Sequence, residues 1–267
     1  MENAVEVELS GVSHSFGDLL VLDGIDTQVA PGEVVGLVGP SGCGKSTALE
    51  LVAGLGDPTG GAMAVEGRPD AEGRLGRVAL MPQRDLLLPW LRAIDNAALA
   101  PRNRGASRAE ARAEAHELFA RFGLGGFEDS APRALSGGMR QRVAFLRTLL
   151  AGKPVLALDE PFASLDAITR AEMQEWLAGA LASEARTVLL VSHDVEEALY
   201  LSDRLLILSA RPARIVAEVR SPASRSLPRR RAVTSPGFTS AREEALAALE
   251  AGARGEREPI AEEAAHA

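Results

Sequence analysis

Fifteen residues starting at Glu33 hold the groups with the clearest chemical meaning: Val34-Val35-Gly36-Leu37-Val38 runs into Gly39-Pro40-Ser41-Gly42-Cys43-Gly44-Lys45-Ser46-Thr47. An apolar strand pattern ends in Gly39, four residues intervene, and Gly44-Lys45-Ser46 opens a helical pattern through Ala53. Glycines at 39, 42 and 44 permit backbone angles at which successive N–H groups turn inward onto phosphate oxygens. The helix behind them adds its positive dipole end. Lys45 adds a full charge for the outer phosphates, and Ser46 a hydroxyl for Mg²⁺. A Gly-rich turn with no ligand is the bland alternative, but a strand before it and a helix after it are both present. The spacing predicts a nucleoside triphosphate site.

Three further strand ends carry matching chemistry. Val155 to Leu158 is apolar and stops at Asp159-Glu160. Asp159 is placed to hold Mg²⁺, directly or through water, and Glu160 to polarise a water attacking the γ-phosphate. Thr187 to Val191 leads to Ser192-His193, where an imidazole can sense that phosphate. Val78 to Met81 delivers Gln83 after Pro82, within reach of both metal and water. Taken singly, a loop glutamine or a histidine at a strand end is ordinary structure. Their case rests on the set. Phe16, before the Gly17-Asp18 turn, reads as a core residue by itself and as an adenine-stacking ring beside a triphosphate site.

Leu135-Ser136-Gly137-Gly138-Met139-Arg140-Gln141 places a hydroxyl and small backbone units at a helix start, a second anion site. One chain does not need two sites for one γ-phosphate. A head-to-tail pair of chains, each closing this loop over the other's phosphate loop, resolves the excess.

In these motifs and in their order the chain resembles the ATP-binding cassette (ABC) ATPase subunits of transporters, over almost all of residues 4–220. Walker A matches Gly39 to Thr47 and the Q-loop matches Gln83. The signature matches Leu135 to Gln141, Walker B Val155 to Glu160, the D-loop Ser164-Leu165-Asp166, and the switch histidine His193. Phe16 stands where that family often has Tyr, and Met81-Pro82 replaces a more usual aromatic before the glutamine. The resemblance implies a RecA-like P-loop NTPase core with a mostly parallel sheet, an N-terminal antiparallel β part and an inserted helical subdomain. It also implies ATP and Mg²⁺ as ligands, and two ATP molecules sandwiched between two copies of the cassette. A narrower resemblance, to importers of nitrate, taurine, alkanesulfonates and thiamine-pyrimidine precursors, lies in Leu86-Leu87-Leu88-Pro89-Trp90 followed by Asp95-Asn96. It implies docking of a membrane permease near Gln83 to Trp90 and, indirectly, a periplasmic or lipid-anchored binding protein. The alternative is that these apolar residues pack within the helical part.

The elements that must position these groups follow from hydrophobic period. Val5, Val7 and Leu9 alternate as in a half-exposed strand, an extended stretch runs from Val21 to Val29, and Met63 to Val65 reads as a short strand. From about Asp85 to Leu150 the pattern is mainly helical, with Ala111, Ala115, Leu118 and Phe122 on one face and Met139, Val143, Leu146 and Leu150 on another. This block reads as an insertion over about 85–152. A helix from Asp166 to Leu181, a short one through Tyr200 and a last core strand from Leu205 to Leu208 close the alternating pattern. Residues 1–220 thus form the ATPase unit. From Ser221 prolines and arginines read as a linker, Ala241 to Leu249 as a short helix, and the end as an acidic, disordered tail.

Composition bounds the function. The 267 residues are 46% hydrophobic, with mean hydropathy +0.02. No apolar run approaches the roughly 20 residues that span a bilayer. The acidic start of the chain lacks a signal-peptide pattern. One cysteine, Cys43, excludes an internal disulfide and suits a reducing compartment. A net charge of -8 argues against general nucleic-acid binding. The expected location is the cytoplasmic face of the inner membrane, held there through permease subunits. Soluble cassette proteins acting on DNA or ribosomes are the rival class, and an exporter subunit is a second alternative.

Overall fold

The computed structural model describes residues 4–163, 165–183, 186–223 and 227–254. Two long antiparallel strands come first, β1 (Val7–Phe16) and β2 (Leu19–Val29), joined by a turn in which Gly17 has φ 58°. β3 (Val34–Val38) then leads through the glycine loop into α1 (Lys45–Val52), and β4 (Gly60–Val65) returns to pair with β1. The result is a three-stranded sheet in the order β2-β1-β4. After α2 (Ala71–Arg77) and β5 (Val78–Met81) come four helices, α3 (Ala93–Ala97), α4 (Leu99–Asn103), α5 (Arg108–Arg121) and α6 (Gly137–Leu149). Alternation resumes with β6 (Val155–Asp159), α7 (Ala167–Ser183), β7 (Thr187–Val191), α8 (Val195–Leu201) and β8 (Arg204–Leu208). β9 (Ile215–Arg220), α9 (Arg229–Val233) and α10 (Pro236–Arg254) close the described chain.

The second sheet has six strands in the order β5-β6-β7-β3-β8-β9, parallel except where β9 runs against β8. Both faces are covered, which is why its strands read as continuous apolar runs. Successive residues still go to different cores. Val34, Val38, Leu156, Leu158, Val188 and Leu190 face the helices. Val35, Leu37, Val155, Ala157, Leu189 and Val191 face α1 and the small sheet. With period two, β3 holds its two ends in one core and its middle in both, so the strand and the loop after it have no freedom to rotate.

Local signals explain the helices around the insertion. Ser107 accepts the Glu110 N–H while Glu110 accepts the Ser107 N–H, a reciprocal cap that starts α5. Ala111, Ala115 and Phe119 form its buried face, with Phe122 buried just beyond its end and Leu118 only partly covered. Trp176 meets Phe122 and Phe145 edge-on, with ring centroids 5.2 and 5.1 Å away, and so locks α6 to α7.

Three stretches depart from the sequence pattern. Residues 85–92 are irregular, not helical, because Pro89 interrupts and because Asn96 takes over their backbone: its Oδ1 accepts the Leu88 N–H at 2.7 Å and its Nδ2 donates to the Leu88 carbonyl at 3.2 Å. β8 is not the last strand, since β9 extends the sheet; its Ile215, Val216 and Ala217 are only half buried, which leaves a weak apolar signal. The stretch after Ser221 is more than a linker with a helix at Ala241–Leu249. α10 spans nineteen residues and buries Phe238, Ala241, Ala245 and Ala248 in the main core. Arg229 is not a solvated cation either: its Nε donates to Gln174 at 2.6 Å and its Nη2 pairs with Glu196 at 2.5 Å. The acidic tail lies outside the described residues.

Phe238 is fully buried in the main core near the start of α10. Phe238→Ala is expected to lower the unfolding free energy by about 3–5 kcal/mol, read from the denaturant midpoint. A loss well under 1 kcal/mol (about the smallest core truncation) would mean that α10 does not hold the fold together.

Candidate functional site

The ends of β3, β5, β6 and β7 converge on one cleft of about 550 Å³. Phe16, Ser41, Gly42, Gly44, Lys45, Ser46, Thr47, Gln83 and Glu160 line it, together with Leu19, Val21 and Arg211. Carboxyl ends of parallel strands are where open α/β sheets take ligands.

The glycine loop is constrained from below. Gly42 and Gly44 have φ 74° and 131°, in the region where a side chain is strained. A Cβ on Gly44 would lie 2.8 Å from Leu22 Cδ2 and Val21 Cγ1, and one on Gly39 would lie 3.0 Å from Leu208 Cβ. Gly44 is strained for any side chain, and Gly39 is tightly packed, for steric reasons that the spacing alone does not reveal. Lys45 is 5% exposed, and its ammonium donates to the carbonyls of Gly39 at 2.8 Å and Pro40 at 3.0 Å. Pro40 also accepts the Cys43 N–H at 3.2 Å, closing the turn.

Opposite the loop, Glu160 has φ 43°, an unusual conformation for a non-glycine residue that costs about 1–3 kcal/mol. Its N–H is tied to the Val191 carbonyl at 2.9 Å, so the neighbouring strand holds the strained residue in place. Its Oε2 accepts from Gln83 Nε2 at 2.9 Å and lies 3.2 Å from His193 Nδ1. Three strand ends are thereby brought to one carboxylate oxygen. Asp159, one residue earlier, is half-buried, with Oδ1 shielded from solvent and without a hydrogen-bond partner. Burial pushes its carboxyl up; the Ser46 hydroxyl and Lys45 oppose the shift, while Glu160 and Glu50 add to it.

With that geometry in view, similarity to known proteins becomes informative. A family described as ABC transporter matches residues 22–163. The chain belongs to the ABC transporter family. Among curated relatives, the aliphatic sulfonates import ATP-binding protein SsuB 1 of Rhodococcus jostii (strain RHA1) is 49% identical over 78% of this chain and 80% of its own. The formylaminopyrimidine import ATP-binding protein ThiZ of Halalkalibacterium halodurans is 44% identical over 76% of this chain and 78% of its own. The taurine import ATP-binding protein TauB of Chromobacterium violaceum is 43% identical over 85% and 88%. Among solved structures, a dimeric ATP-binding cassette in a post-hydrolysis state with ADP and Pi superposes with TM-score 0.71 at 28% identity, covering 82% of this chain and all of that one. This cassette is an ATP-hydrolysing ABC ATPase.

Not every motif residue reaches the cassette's own cleft. Leu135 and Gly138 are buried, and Gln141 is 3% exposed with its Oε1 unpartnered. Ser136 caps α6, its Oγ accepting the Met139 N–H at 3.2 Å, and Gly137 follows as the first helical residue. Gly138 packs so closely on α7 that a Cβ would lie 2.9 Å from Thr169 Cγ2. None of these five lines the cleft of Lys45. Leu165 is buried, while Asp166 caps α7 by accepting the Ile168 and Thr169 N–H groups at 3.1 Å. The Thr169 hydroxyl, donating at 2.7 Å, holds the Asp166 carboxyl below its usual range. Ser164 lies outside the described residues.

Cys43 contributes through its backbone only. Its side chain is 1% exposed in the core beneath the loop, and burial pushes the thiol up. Arg211 carries no motif signal in the sequence; it enters the site because the turn after β8 lies beside the loop, where its Nε donates to the Gly42 carbonyl at 3.1 Å.

Two outcomes follow from this burial. Cys43 is expected to react with a bulky thiol reagent slowly in the native protein and rapidly once it is denatured; fast native labelling would place the thiol outside the core. Asp159→Asn is expected to raise the thermal midpoint of the nucleotide-free protein, because a raised carboxyl destabilises the fold as pH climbs through its titration. The gain is largest above that titration and vanishes in acid, and a lower midpoint at neutral pH would contradict the assignment.

Proposed function

We propose that this cassette energises an importer, with ATP cradled by residues 39–47 and Glu160 as general base. The observation that carries the catalytic assignment is the convergence of Gln83 and His193 on one oxygen of Glu160, at 2.9 and 3.2 Å. Two flanking polar groups fix the orientation of that carboxylate, and a general base needs its lone pair aimed at a water next to the γ-phosphate. Lys45 exchanges two loop carbonyls for charged phosphate oxygens, which bind an ammonium more strongly. Phe16, 57% exposed at the rim, offers its ring to the adenine.

The residues present fit a divalent cation. Mg²⁺ takes oxygen ligands and keeps several waters, so a buried carboxylate oxygen without a partner, beside the Ser46 hydroxyl, suits it. Asp159, Ser46 and Gln83 would hold it, and when bound it supplies positive charge against the phosphates. Gln83 thereby senses both the metal side and the Glu160 side of the site.

Residues 135–141 and the Leu165-Asp166 turn serve the ATP of a second copy, giving a homodimer with two sandwiched nucleotides. This reading explains why Ser136, Gly137 and Gly138 lie away from their own cleft although they form an anion-binding helix start. Leu86 and Trp90, 54% and 76% exposed, form the apolar surface that receives a permease subunit, whereas Leu87 turns inward. No helix among the described residues is long and apolar enough to cross a membrane, so the membrane is reached through that partner, at the cytoplasmic face. Relatives named for import of aliphatic sulfonates, taurine and formylaminopyrimidine support a small anionic or heterocyclic nutrient as cargo, brought by a separate binding protein. The net charge of -8 argues against nucleic acid as a partner.

Glu160→Gln is expected to bind ATP with unchanged affinity, to lose about 10²–10⁴-fold in hydrolysis, and to accumulate as a dimer on size-exclusion chromatography. Steady-state hydrolysis at the parent rate would remove Glu160 from the mechanism. Copurification from detergent-solubilised membranes tests the importer: an integral permease supports it, and purely soluble or nucleic-acid partners sink it.

A further inference from the structure

We propose that Arg211 is a ligand of the nucleotide phosphates, delivered by the turn between β8 and β9. The inference rests on the reading that residues 39–47 cradle ATP and adds to them a cation from outside the motif.

Arg211 lines the same cleft as Lys45, Ser46, Thr47 and Glu160. Its Nε donates to the Gly42 carbonyl at 3.1 Å, and its Nη2 donates to the same oxygen. Among the described residues no carboxylate pairs with it. Neighbouring arginines behave otherwise: Arg204 takes Glu33 and Glu218, Arg214 takes Asp23, and Arg229 takes Glu196. A guanidinium presents five donors in a planar fork, and one carbonyl oxygen uses few of them. Phosphate oxygens match that fork in geometry and charge. Both cations of the cleft, Lys45 and Arg211, therefore rest on carbonyl oxygens of one loop, and both gain by exchanging them for phosphate.

The turn that carries Arg211 is held on both sides. Within it, Ser209 N–H donates to the Arg214 carbonyl at 2.9 Å, and Ser209 Oγ accepts the Arg214 N–H at 3.0 Å. Toward the small sheet, Ala213 N–H donates to the Val21 carbonyl at 2.8 Å and the Ala213 carbonyl accepts the Asp23 N–H at 3.0 Å. Toward the C-terminus, Ala210 N–H donates to the Gly252 carbonyl of α10 at 3.1 Å. Gly252 is closely packed, since a Cβ there would lie 3.1 Å from Val216 Cγ2. The backbone of Arg211 is thus positioned before any nucleotide arrives, which lowers the ordering cost of the contact. It also makes α10 part of the support of the nucleotide site.

The test is equilibrium binding of ATP to the full chain and to Arg211→Gln, Arg211→Lys and Lys45→Ala. Glutamine keeps a donor for the Gly42 carbonyl while removing the charge, so the loop contact survives. Arg211→Gln is expected to bind ATP about tenfold more weakly at an unchanged thermal midpoint, with a shallower dependence on salt. Arg211→Lys, which keeps the charge but not the planar fork, is expected to recover part of that loss. Binding by Arg211→Gln within about twofold of the parent overturns the inference. Loss of affinity in Lys45→Ala alone rejects Arg211 and leaves the loop reading intact. No loss in either variant rejects the loop reading itself.

Discussion

A cation withdrawn from water must be compensated, and Lys45, 5% exposed, hydrogen-bonds among the described residues to two peptide carbonyls of its own loop, with the Asp159 carboxyl acting on it electrostatically. Neutral oxygens are weaker partners for a buried charge than anions are. The loop is therefore built for a negatively charged ligand, and the surroundings keep it in that form. Leu208, Leu22 and Val21 crowd Gly39 and Gly44 from below, so the loop cannot sink to give the ammonium other partners. β3, buried at all five positions and paired on both sides, cannot shift to relieve it.

The same tension recurs across the cleft. Asp159 keeps a shielded oxygen without a partner, and Glu160 keeps a left-handed backbone angle. Each is unfavourable locally and is held by rigid neighbours: β6 lies between β5 and β7, and the Val191 carbonyl fixes the Glu160 amide. Unfavourable groups gathered at one cleft mark a position where a ligand completes the interactions.

Regions distant from the cleft are tied to it by polar contacts of the same kind. The segment after Gln83 is pinned by Arg147, which donates to the Asp85 and Leu86 carbonyls at 2.6 and 2.8 Å, and by Arg140, which pairs with Asp85 at 3.0 Å. Both arginines lie on α6, the helix that Ser136 caps, so the exposed Trp90 surface and that helix start share one support. On the other side, α8 follows His193 directly, and its Glu196 is held by Arg229 and Arg242. Glu197, buried and thereby pushed up, accepts from Gln174 of α7 at 2.9 Å. The α9–α10 region therefore braces the helix that follows the histidine, an arrangement in which rigid elements position the reacting groups.

Much of this was legible in the chain itself. The Gly39-to-Thr47 spacing, the apolar runs stopping at Gln83, Asp159-Glu160 and His193, and the Ser136 helix start are local patterns, set by backbone geometry over a few residues. Only tertiary structure decided what depends on close approach between distant segments. Asn96 overrode the helical pattern of residues 85–92, Phe238 turned a linker composition into a core helix, and Leu22 and Val21 closed the space beside Gly44. Burial decided that the Cys43 thiol points away from the nucleotide loop while its amide remains in it. Arg211 is the clearest case: nothing near it in sequence distinguishes it from the other arginines. It joins the site because the sheet sets β8 next to β3, and strand order in a parallel sheet is set by the whole fold, not by local propensity.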